Sequence, residues 1–240
     1  AGADGVYLDL LELVGTGAAM RALRAAFPQV TLGVAPPRIR KPGEEKIDRY
    51  LASLEPDVVL VRGLGALRDA GTSKAARIAD FSLNVTNRLS AAEVLSRGVQ
   101  AFTPSFDLDA AQLERLLDSP FGAFAEVVVH HPMPLFHMEH CVIAALLSSG
   151  KDYRDCGRPC EKHKISLKDR AGMIHPVEAD VGCRNTVFHA AAQSAASVFK
   201  TALRCGVGRY RIELVRESAK EVEKIVSTYR RLWAGDIEVL

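Results

Sequence analysis

Four of the five cysteines in this chain fall within one segment, at Cys141, Cys156, Cys160 and Cys183, with the spacing C-x14-C-x3-C-x22-C. Thiolates are the ligands that soft metals and iron–sulfur clusters require, and four of them can hold one cluster. All seven histidines lie between positions 130 and 189, in and beside the same segment. The chain therefore concentrates its metal-binding side chains in one region, while Cys205 stands apart and is expected to be a core thiol.

The spacing leaves three interpretations of the cysteines open. The first is an iron–sulfur cluster, and the second is a zinc site with ligands drawn from Cys156, Cys160, Cys183 and either Cys141 or His163. Structural zinc sites more often carry two short cysteine pairs, whereas this chain has one. The third is a set of buried free thiols, which behave as small hydrophobic side chains.

The rest of the chain alternates short apolar runs with helical patterns. Six strands are predicted before residue 132, at 6–12, 31–39, 57–62, 81–87, 101–108 and 126–131. Two further strands are predicted at 209–215 and 177–185, and helices at 18–27, 44–54, 110–117 and 218–233, with another capped by Ser90. Alternating strands and helices at this spacing are typical of a parallel sheet with helical crossovers.

This pattern predicts an α/β fold, a TIM-type (β/α) barrel that could be incomplete at its N-terminus, where the chain starts without methionine. An open doubly wound sheet is the alternative, but the glycine-rich first turn usual in that fold is absent. Residues 1–133 would form the first part of the barrel and 191–240 the last. Residues 134–190 would form a Cys/His-rich insertion after a late strand, binding a metal cluster within one domain overall.

Bulk composition is that of an ordinary globular protein. The 240 residues are 48% hydrophobic and 25% charged, and the net charge is +2, so no strong global field favours nucleic acid. No apolar run approaches the roughly 18 residues of a membrane span, and no export signal opens the chain. These features predict a cytoplasmic location.

The segment from 126 to 183 resembles the signature region of peptidase family U-32, the collagenase-like family. The resemblance rests on EVVVHHPMPLFHMEHC, DCGRPCEKH and ADVGCRNTVF, and extends to SLNVTN upstream and RIELVRE downstream. It implies a barrel, a 4Fe–4S cluster on the four cysteines, and oxygen-independent hydroxylation of an RNA base or a small aromatic or quinone precursor. Other members carry a further Cys where this chain has Pro134, so ligation would need both Cys156 and Cys160, or a non-Cys ligand such as His137 or His140.

The family label implies a second function, that of a peptidase, and a third alternative is a non-catalytic module with structural zinc. Neither a Gly-x-Ser-x-Gly elbow nor a His-Glu-x-x-His motif is present to support proteolysis. The expected partners are RNA or a small anionic or aromatic substrate, and a partner protein or further domains of a longer chain.

Further site residues are expected outside the cysteines. His130 and Glu213 are expected to be catalytic, and the expected substrate ligands are Asn84, Asn87, Arg62 and Arg216. The resemblance suggests His130, Glu213 and Arg216, whereas Asn84 and Asn87 alternate on one predicted strand and so share a face, and Arg62 ends another. Structural roles compete with these: His130 could cap a strand end, Asn87 a turn, and Arg216 could form a surface ion pair. Arg38 also ends a predicted strand and could bind phosphate or carboxylate. The basic residues beside the cysteines would attract an anion, namely Arg154, Arg158, Lys162 and Arg184.

Overall fold

The computed structural model describes residues 2–9, 13–68, 74–150, 154–180 and 182–238. The strands are β1 (Gly5–Leu8), β2 (Thr31–Val34), β3 (Val58–Val61), β4 (Ala76–Ala79), β5 (Ala101–Phe102), β6 (Glu126–His131), β7 (Pro134–Met138), β8 (Ile165–Lys168), β9 (Ile174–Ala179), β10 (Asn185–Phe188), β11 (Gln193–Ser194) and β12 (Arg209–Ile212). The helices are α1 (Leu13–Ala26), α2 (Glu45–Ser53), α3 (Leu64–Arg68), α4 (Arg88–Ser96), α5 (Ala110–Leu117), α6 (Val142–Leu147), α7 (Ala196–Arg204) and α8 (Ala219–Ala234).

The first five strands form one parallel sheet in chain order, each followed by a helix. A parallel bridge between Phe102 and Ala125 joins this sheet to β6, which pairs in parallel with β12. The run curves far enough for the Tyr7 hydroxyl of β1 to donate to Glu126 of β6 at 2.9 Å. The predicted parallel α/β class is confirmed, while pairing of β12 with β1, which would close a barrel, is absent from the described residues.

The core packs the outer side of these strands against the helices. Phe102 and Val129 from the strands meet Leu117 of α5, Phe199 of α7 and Leu232 of α8, and each of the five side chains is buried. Burying aliphatic and aromatic side chains of this size is the main favourable term in folding. The helices are thereby fixed outside the strands, and the inner side is left for polar groups.

Two helix starts fall where the sequence predicts them. Asp109 caps α5 in a reciprocal capping box with Gln112, and Ser218 caps α8 in the same way with Glu221. Each box pairs backbone N–H groups that the helix itself cannot bond. Among the helices described, none combines the length and apolarity that a bilayer crossing would need.

The prediction of a strand at 81–87 is wrong. The strand β4 lies five residues earlier, and Phe81–Leu83 is a single 3-10 turn capped by the side chain of Asp80. Only Ile78 and Ala79 of β4 are buried, so its apolar signal is weak. The capping box of α4 likewise begins at Asn87, with Ser90 as its third helical residue, and not at Ser90.

Other predicted strands are shorter than expected. The strand predicted at 6–12 ends at Leu8, and residues 10–12 lie outside the described residues. The strand predicted at 101–108 covers two residues, because Pro104 continues it only through an isolated bridge to Val85. A proline lacks the N–H that a parallel ladder needs.

Residues between β6 and β11 form a separate antiparallel sheet of order β7-β10-β9-β8. The turn predicted at 169–172 joins β8 to β9, with the Gly172 N–H donating to the Asp169 carbonyl at 3.1 Å. The prediction of an eighth barrel strand at 177–185 is wrong, since these residues end β9 and begin β10. Alternating apolar residues cannot by themselves distinguish a parallel from an antiparallel neighbour.

Candidate functional site

A network of buried charged side chains fills the inner side of the parallel strands. Arg211 of β12 is 6% exposed, and its Nη2 donates to Oδ1 of Asp80, after β4, at 2.6 Å. Its Nη1 donates to Oε1 of Glu126 at 3.0 Å. Charges removed from water are stabilised only by close partners of opposite charge. Arg211 therefore ties the fourth, sixth and last parallel strands together from the inside.

Arg62, directly after β3, extends the network to the first strands. Its Nε donates to Asp80 Oδ2 at 2.8 Å, and its Nη1 donates to Asp9 Oδ1, after β1, at 3.0 Å. The same Nη1 donates to the carbonyl of Pro36, after β2, at 3.0 Å. The carboxyl ends of four neighbouring strands thus meet at Arg62. Arg62, predicted to bind substrate, donates these N–H groups to partners within the chain.

Two of the three carboxyl groups that flank Arg211 have pKa values shifted in opposite directions. Burial alone raises the pKa of Asp80, but the Arg211 and Arg62 guanidinium groups outweigh it and hold the pKa at about 2. Burial also raises the pKa of Glu213, and there the attraction of Arg211, 3.0 Å away, does not compensate. Glu213 is 29% exposed, whereas Asp80 is fully buried. Glu213 is therefore the carboxyl group of the network suited to exchange a proton with a ligand.

An irregularity in β6 decides which histidine faces this network. Arg211 pairs with Val128 and Ile212 with His130, so Val129 is an extra residue in the ladder. A bulge of this kind redirects the side chains that follow it. His130 consequently packs against Tyr229 of α8, with ring centroids 5.9 Å apart. His131 lies near the network instead, where burial, His130 and Arg211 lower its pKa to about 4.

His130 belongs to a pocket of about 530 Å³ that it shares with Ser194, Glu217 and Tyr229. The Tyr229 hydroxyl donates to the Val129 carbonyl at 2.7 Å and lies 2.6 Å from the Ser194 hydroxyl. The phenol has one hydrogen, which points to the Val129 carbonyl. The Ser194 hydroxyl is therefore the donor in its hydrogen bond with Tyr229. His130 therefore does not activate Ser194 in this arrangement.

A stack of planar groups crosses the strand ends on the inner side. The Arg38 guanidinium lies over the Phe81 ring at 4.8 Å, and Phe81 stacks on Phe106 with centroids 4.1 Å apart. Phe106 contacts His131 at 4.2 Å between centroids. Nδ1 of His131 is buried without a hydrogen-bond partner among the described residues. The stack gives the strand ends a rigid apolar wall with a cation at one end.

Two cysteines of the spaced group, Cys160 and Cys183, are affected electrostatically by the others. Burial raises the pKa of the Cys183 thiol, and Cys141, Cys156 and Cys160 raise it further. Burial and Cys141 likewise raise the pKa of Cys160. Because interactions between charges weaken with distance, these effects place the four sulfurs in one neighbourhood.

Local structure orients the thiols at the two ends of this group. Cys141 caps α6, and its sulfur accepts from the Ala144 N–H at 3.4 Å and from the Asn185 amide at 3.7 Å. Cys183 has a φ of 59°, in the left-handed region that non-glycine residues rarely adopt. In the part of the chain that the structure describes, no three Cys, His, Asp or Glu side chains are grouped as one metal ion requires.

Arg184 fastens the cysteine segment to the parallel strands. It is fully buried, and its Nη2 donates to both carboxylate oxygens of Glu44 at 2.9 Å. It also donates to Glu139 at 3.2 Å, and Glu139 pairs with Lys41. Glu44 and Lys41 belong to the connection that follows β2, so the segment lies over that strand end. Arg184, expected to attract an anion, is instead paired with carboxylates of the chain.

The other predicted substrate ligands, Arg216, Asn84 and Asn87, have structural roles. Arg216 pairs with Glu178 and donates to the carbonyls of Ile165 and Val177, which fixes the antiparallel sheet to the end of β12. Asn84 ends the 3-10 turn with a φ of 56°, and Asn87 caps α4. Both asparagines are exposed and neither lies on a strand, so the expected shared strand face does not exist.

Sequence reasoning missed Asp80, Arg211, His131 and the pair Phe81–Phe106. Asp80 and Arg211 look like ordinary surface charges, because each stands beside a short strand with few apolar residues. The one available signal was spacing: Arg211 and Glu213 alternate on a strand already predicted, and therefore point to the same side. The remaining members come from other strands and leave no local pattern.

Charged groups at the carboxyl ends of parallel strands define an α/β protein that keeps its polar site where such folds bind ligands. The chain belongs to peptidase family U32, whose model matches residues 41–238. The matched residues include all four spaced cysteines and most residues of the network and the stack. Tyr7, Asp9 and Arg38 precede the matched range.

Solved structures offer weaker likenesses. A muconate cycloisomerase from Azorhizobium caulinodans shares 15% identity over 54% of this chain and 39% of its own, with a TM-score of 0.40. A protein assigned as a fructose-1,6-biphosphate aldolase from Coccidioides immitis shares 18% identity over 52% of this chain and 63% of its own, with a TM-score of 0.35. The chain thus spans less than two thirds of either protein. No curated protein sequence matches it significantly.

Asp80→Asn should remove an acid-sensitive part of the stability. The folded pKa of Asp80, about 2, lies below its ordinary value of 3.8, so its contribution is complete above about pH 4 and is lost toward pH 2. That contribution amounts to about 2 kcal/mol in the free energy of unfolding. Urea unfolding of the wild type should give a lower free energy of unfolding at pH 2.5 than at pH 5 through loss of this contribution. Asp80→Asn should lack this part of the pH dependence.

The matched control for this experiment is Asp107→Asn, because Asp107 is exposed. It should keep the wild-type pH dependence. A wild-type pH dependence in Asp80→Asn would contradict the assignment of Asp80 as the ionised centre of the network.

Proposed function

We propose that this chain is an iron–sulfur enzyme that hydroxylates an RNA base or a small aromatic or quinone precursor without dioxygen. Membership of family U32 supports the class of protein. The effect of Cys141, Cys156 and Cys160 on the pKa of the Cys183 thiol supports the cofactor. The ligands would be Cys141, Cys156, Cys160 and Cys183. The observation that carries the proposal is the convergence of four sulfurs beside a polar site at the strand ends.

The arrangement of the thiols favours a cluster over zinc. A single zinc ion holds its ligands at about 2.0–2.3 Å, so they must crowd around one point. A cluster is larger and separates its thiolates more widely. Zinc sites also more often carry two short cysteine pairs, whereas this chain has one, so its spacing fits the larger cofactor better. His137 and His140 are not needed when all four cysteines take part.

The other part of the proposal concerns the residues at the strand ends. When bound, the cluster would supply electron transfer, which none of the side chains can perform. Glu213, held by Arg211 at 3.0 Å and with a raised pKa, would take up or release the proton at the reacting carbon. In such a hydroxylation the oxygen donor gains the two electrons that the substrate loses. His131 lies near this network, whereas His130 faces α8, so His131 is the better candidate for a polar contact with substrate.

Protein purified without air should be brown and contain iron and acid-labile sulfide. Replacing Cys141, Cys156 or Cys183 by Ser should abolish the colour, since each change removes one thiolate ligand. Iron, sulfide and visible absorption are the measurements. Cys205→Ser is the matched control and should keep the colour. Colourless wild-type protein carrying zinc would refute the cluster.

The reaction type predicts a chemical phenotype. A deletion strain should lack a hydroxylated RNA nucleoside or a quinone, as measured by mass spectrometry of digested RNA and of lipid extracts. Complementation with the wild-type gene should restore the product, and complementation with Glu213→Gln should not. Intact RNA hydroxylation and intact quinone in the deletion strain would exclude this reaction.

Purified protein should not cleave gelatin or casein. The Ser194 hydroxyl donates its hydrogen bond to Tyr229 and not to a general base. Thiolates that bind a metal cannot attack a peptide. Zymography with Ser194→Ala as the matched variant checks this prediction. Cleavage by wild-type protein that Ser194→Ala abolishes would instead establish a peptidase.

A further inference from the structure

A groove of about 720 Å³ opens beside the polar site, between the connections that follow β2 and β3. Its walls are the segment from Pro36 to Pro42, the first turns of α2, and the segment from Arg62 to Arg68. Its volume lies in the range of small-molecule pockets. Because Arg62 lines it, the groove borders the network of Arg62 and Asp80, at the strand ends where parallel α/β folds bind their ligands.

The groove is lined by five cations, and most of them are neutralised by neighbours. Arg62 pairs with Asp9 and Asp80, Arg40 with Asp48 at 3.1 Å, and Lys41 with Glu139. Arg68 is exposed at the end of α3. The fifth cation, Arg38, is half-buried and makes no ion pair within the described residues.

Arg38 owes its position to packing. It follows two prolines, whose rings restrict the backbone, and its guanidinium lies over Phe81 at 4.8 Å. Phe81 is itself held by the stack on Phe106. Burial and the nearby Arg62 lower the pKa of Arg38, and the Asp80 and Glu213 carboxylates only partly offset them. The edge of the guanidinium is therefore presented to the groove with its hydrogen-bond donors uncommitted.

Asp80 and Glu213 act on Arg38 without pairing with it, and the carboxylates of the groove lining are Glu44, Glu45 and Asp48. A half-buried cation without a directly paired carboxylate is unfavourable, and an anion bound at Arg38 would offset that cost. A guanidinium matches a planar carboxylate or a phosphate with two parallel hydrogen bonds. The rest of the lining includes apolar side chains, among them Pro36, Pro42, Ile47 and Leu64. These suit an apolar body attached to the anionic group.

We propose that Arg38 is the anion-binding residue of this groove, which takes a small ligand with one oxyanion, carboxylate or phosphate, on an apolar body. The inference deepens the proposed function by naming the class of ligand at the strand ends. It is tested by binding alone, so it can fail while the cluster stands and can stand if the cluster fails.

Calorimetric titration with benzoate, phenyl phosphate and neutral benzamide tests the site. Benzoate or phenyl phosphate should bind to the wild type at least about tenfold more tightly than benzamide, because a charge-assisted pair is lost with the amide. Preference for benzoate identifies a carboxylate site, and preference for phenyl phosphate identifies a phosphate site. Absence of binding by both anions at millimolar concentration would overturn the proposal.

Arg38→Gln should weaken binding of the preferred anion at least about tenfold, and Arg38→Lys should weaken it less, since lysine keeps the charge without the planar donors. Arg88→Gln, at the exposed start of α4, is the matched control and should bind as the wild type does. Cys141→Ser should retain binding, which separates this site from the cofactor. Wild-type affinity in Arg38→Gln, or an equal loss in Arg88→Gln, would refute the assignment. Thermal unfolding of each variant establishes that it is folded.

Discussion

The pairing of Arg211 with Asp80 is the interaction on which the inner side of this protein depends. Neither charge has access to water, and each would be strongly unfavourable without the other. The pair joins strands that are far apart in sequence, since the two residues are 131 positions apart. Glu126, Glu213 and Arg62 then extend this network to β1, β3, β6 and the end of β12.

This constraint decides which groups remain available to a ligand. Asp80 keeps its charge because two guanidinium groups surround it, so it holds structure and does not exchange protons. Glu213 shares Arg211 with it but reaches solvent, and burial raises its pKa. Arg62 is paired with carboxylates, whereas Arg38 packs on an aromatic ring and keeps its hydrogen-bond donors uncommitted. One network thus divides similar residues into structural and functional groups.

The cysteine segment is attached to this framework by two arginines. Arg184 joins it to the connection after β2, and Arg216 joins its antiparallel sheet to the end of β12. Both attachments lie at the carboxyl ends of parallel strands, on the side that carries Glu213 and the planar stack. The cysteine segment is therefore attached at the carboxyl ends of the strands and not at the opposite ends.

The sequence by itself determined the features that depend on neighbouring residues. Capping boxes at Asp109 and Ser218 and the turn at 169–172 involve bonds within four residues, and the spaced cysteines with the motifs around them indicate the family. Tertiary structure alone decided which arginines are paired, where β4 lies, and that a bulge in β6 turns His131 and not His130 toward the network. The physical reason is that a buried ion pair or a strand register is set by residues distant in sequence, whose approach no local pattern records.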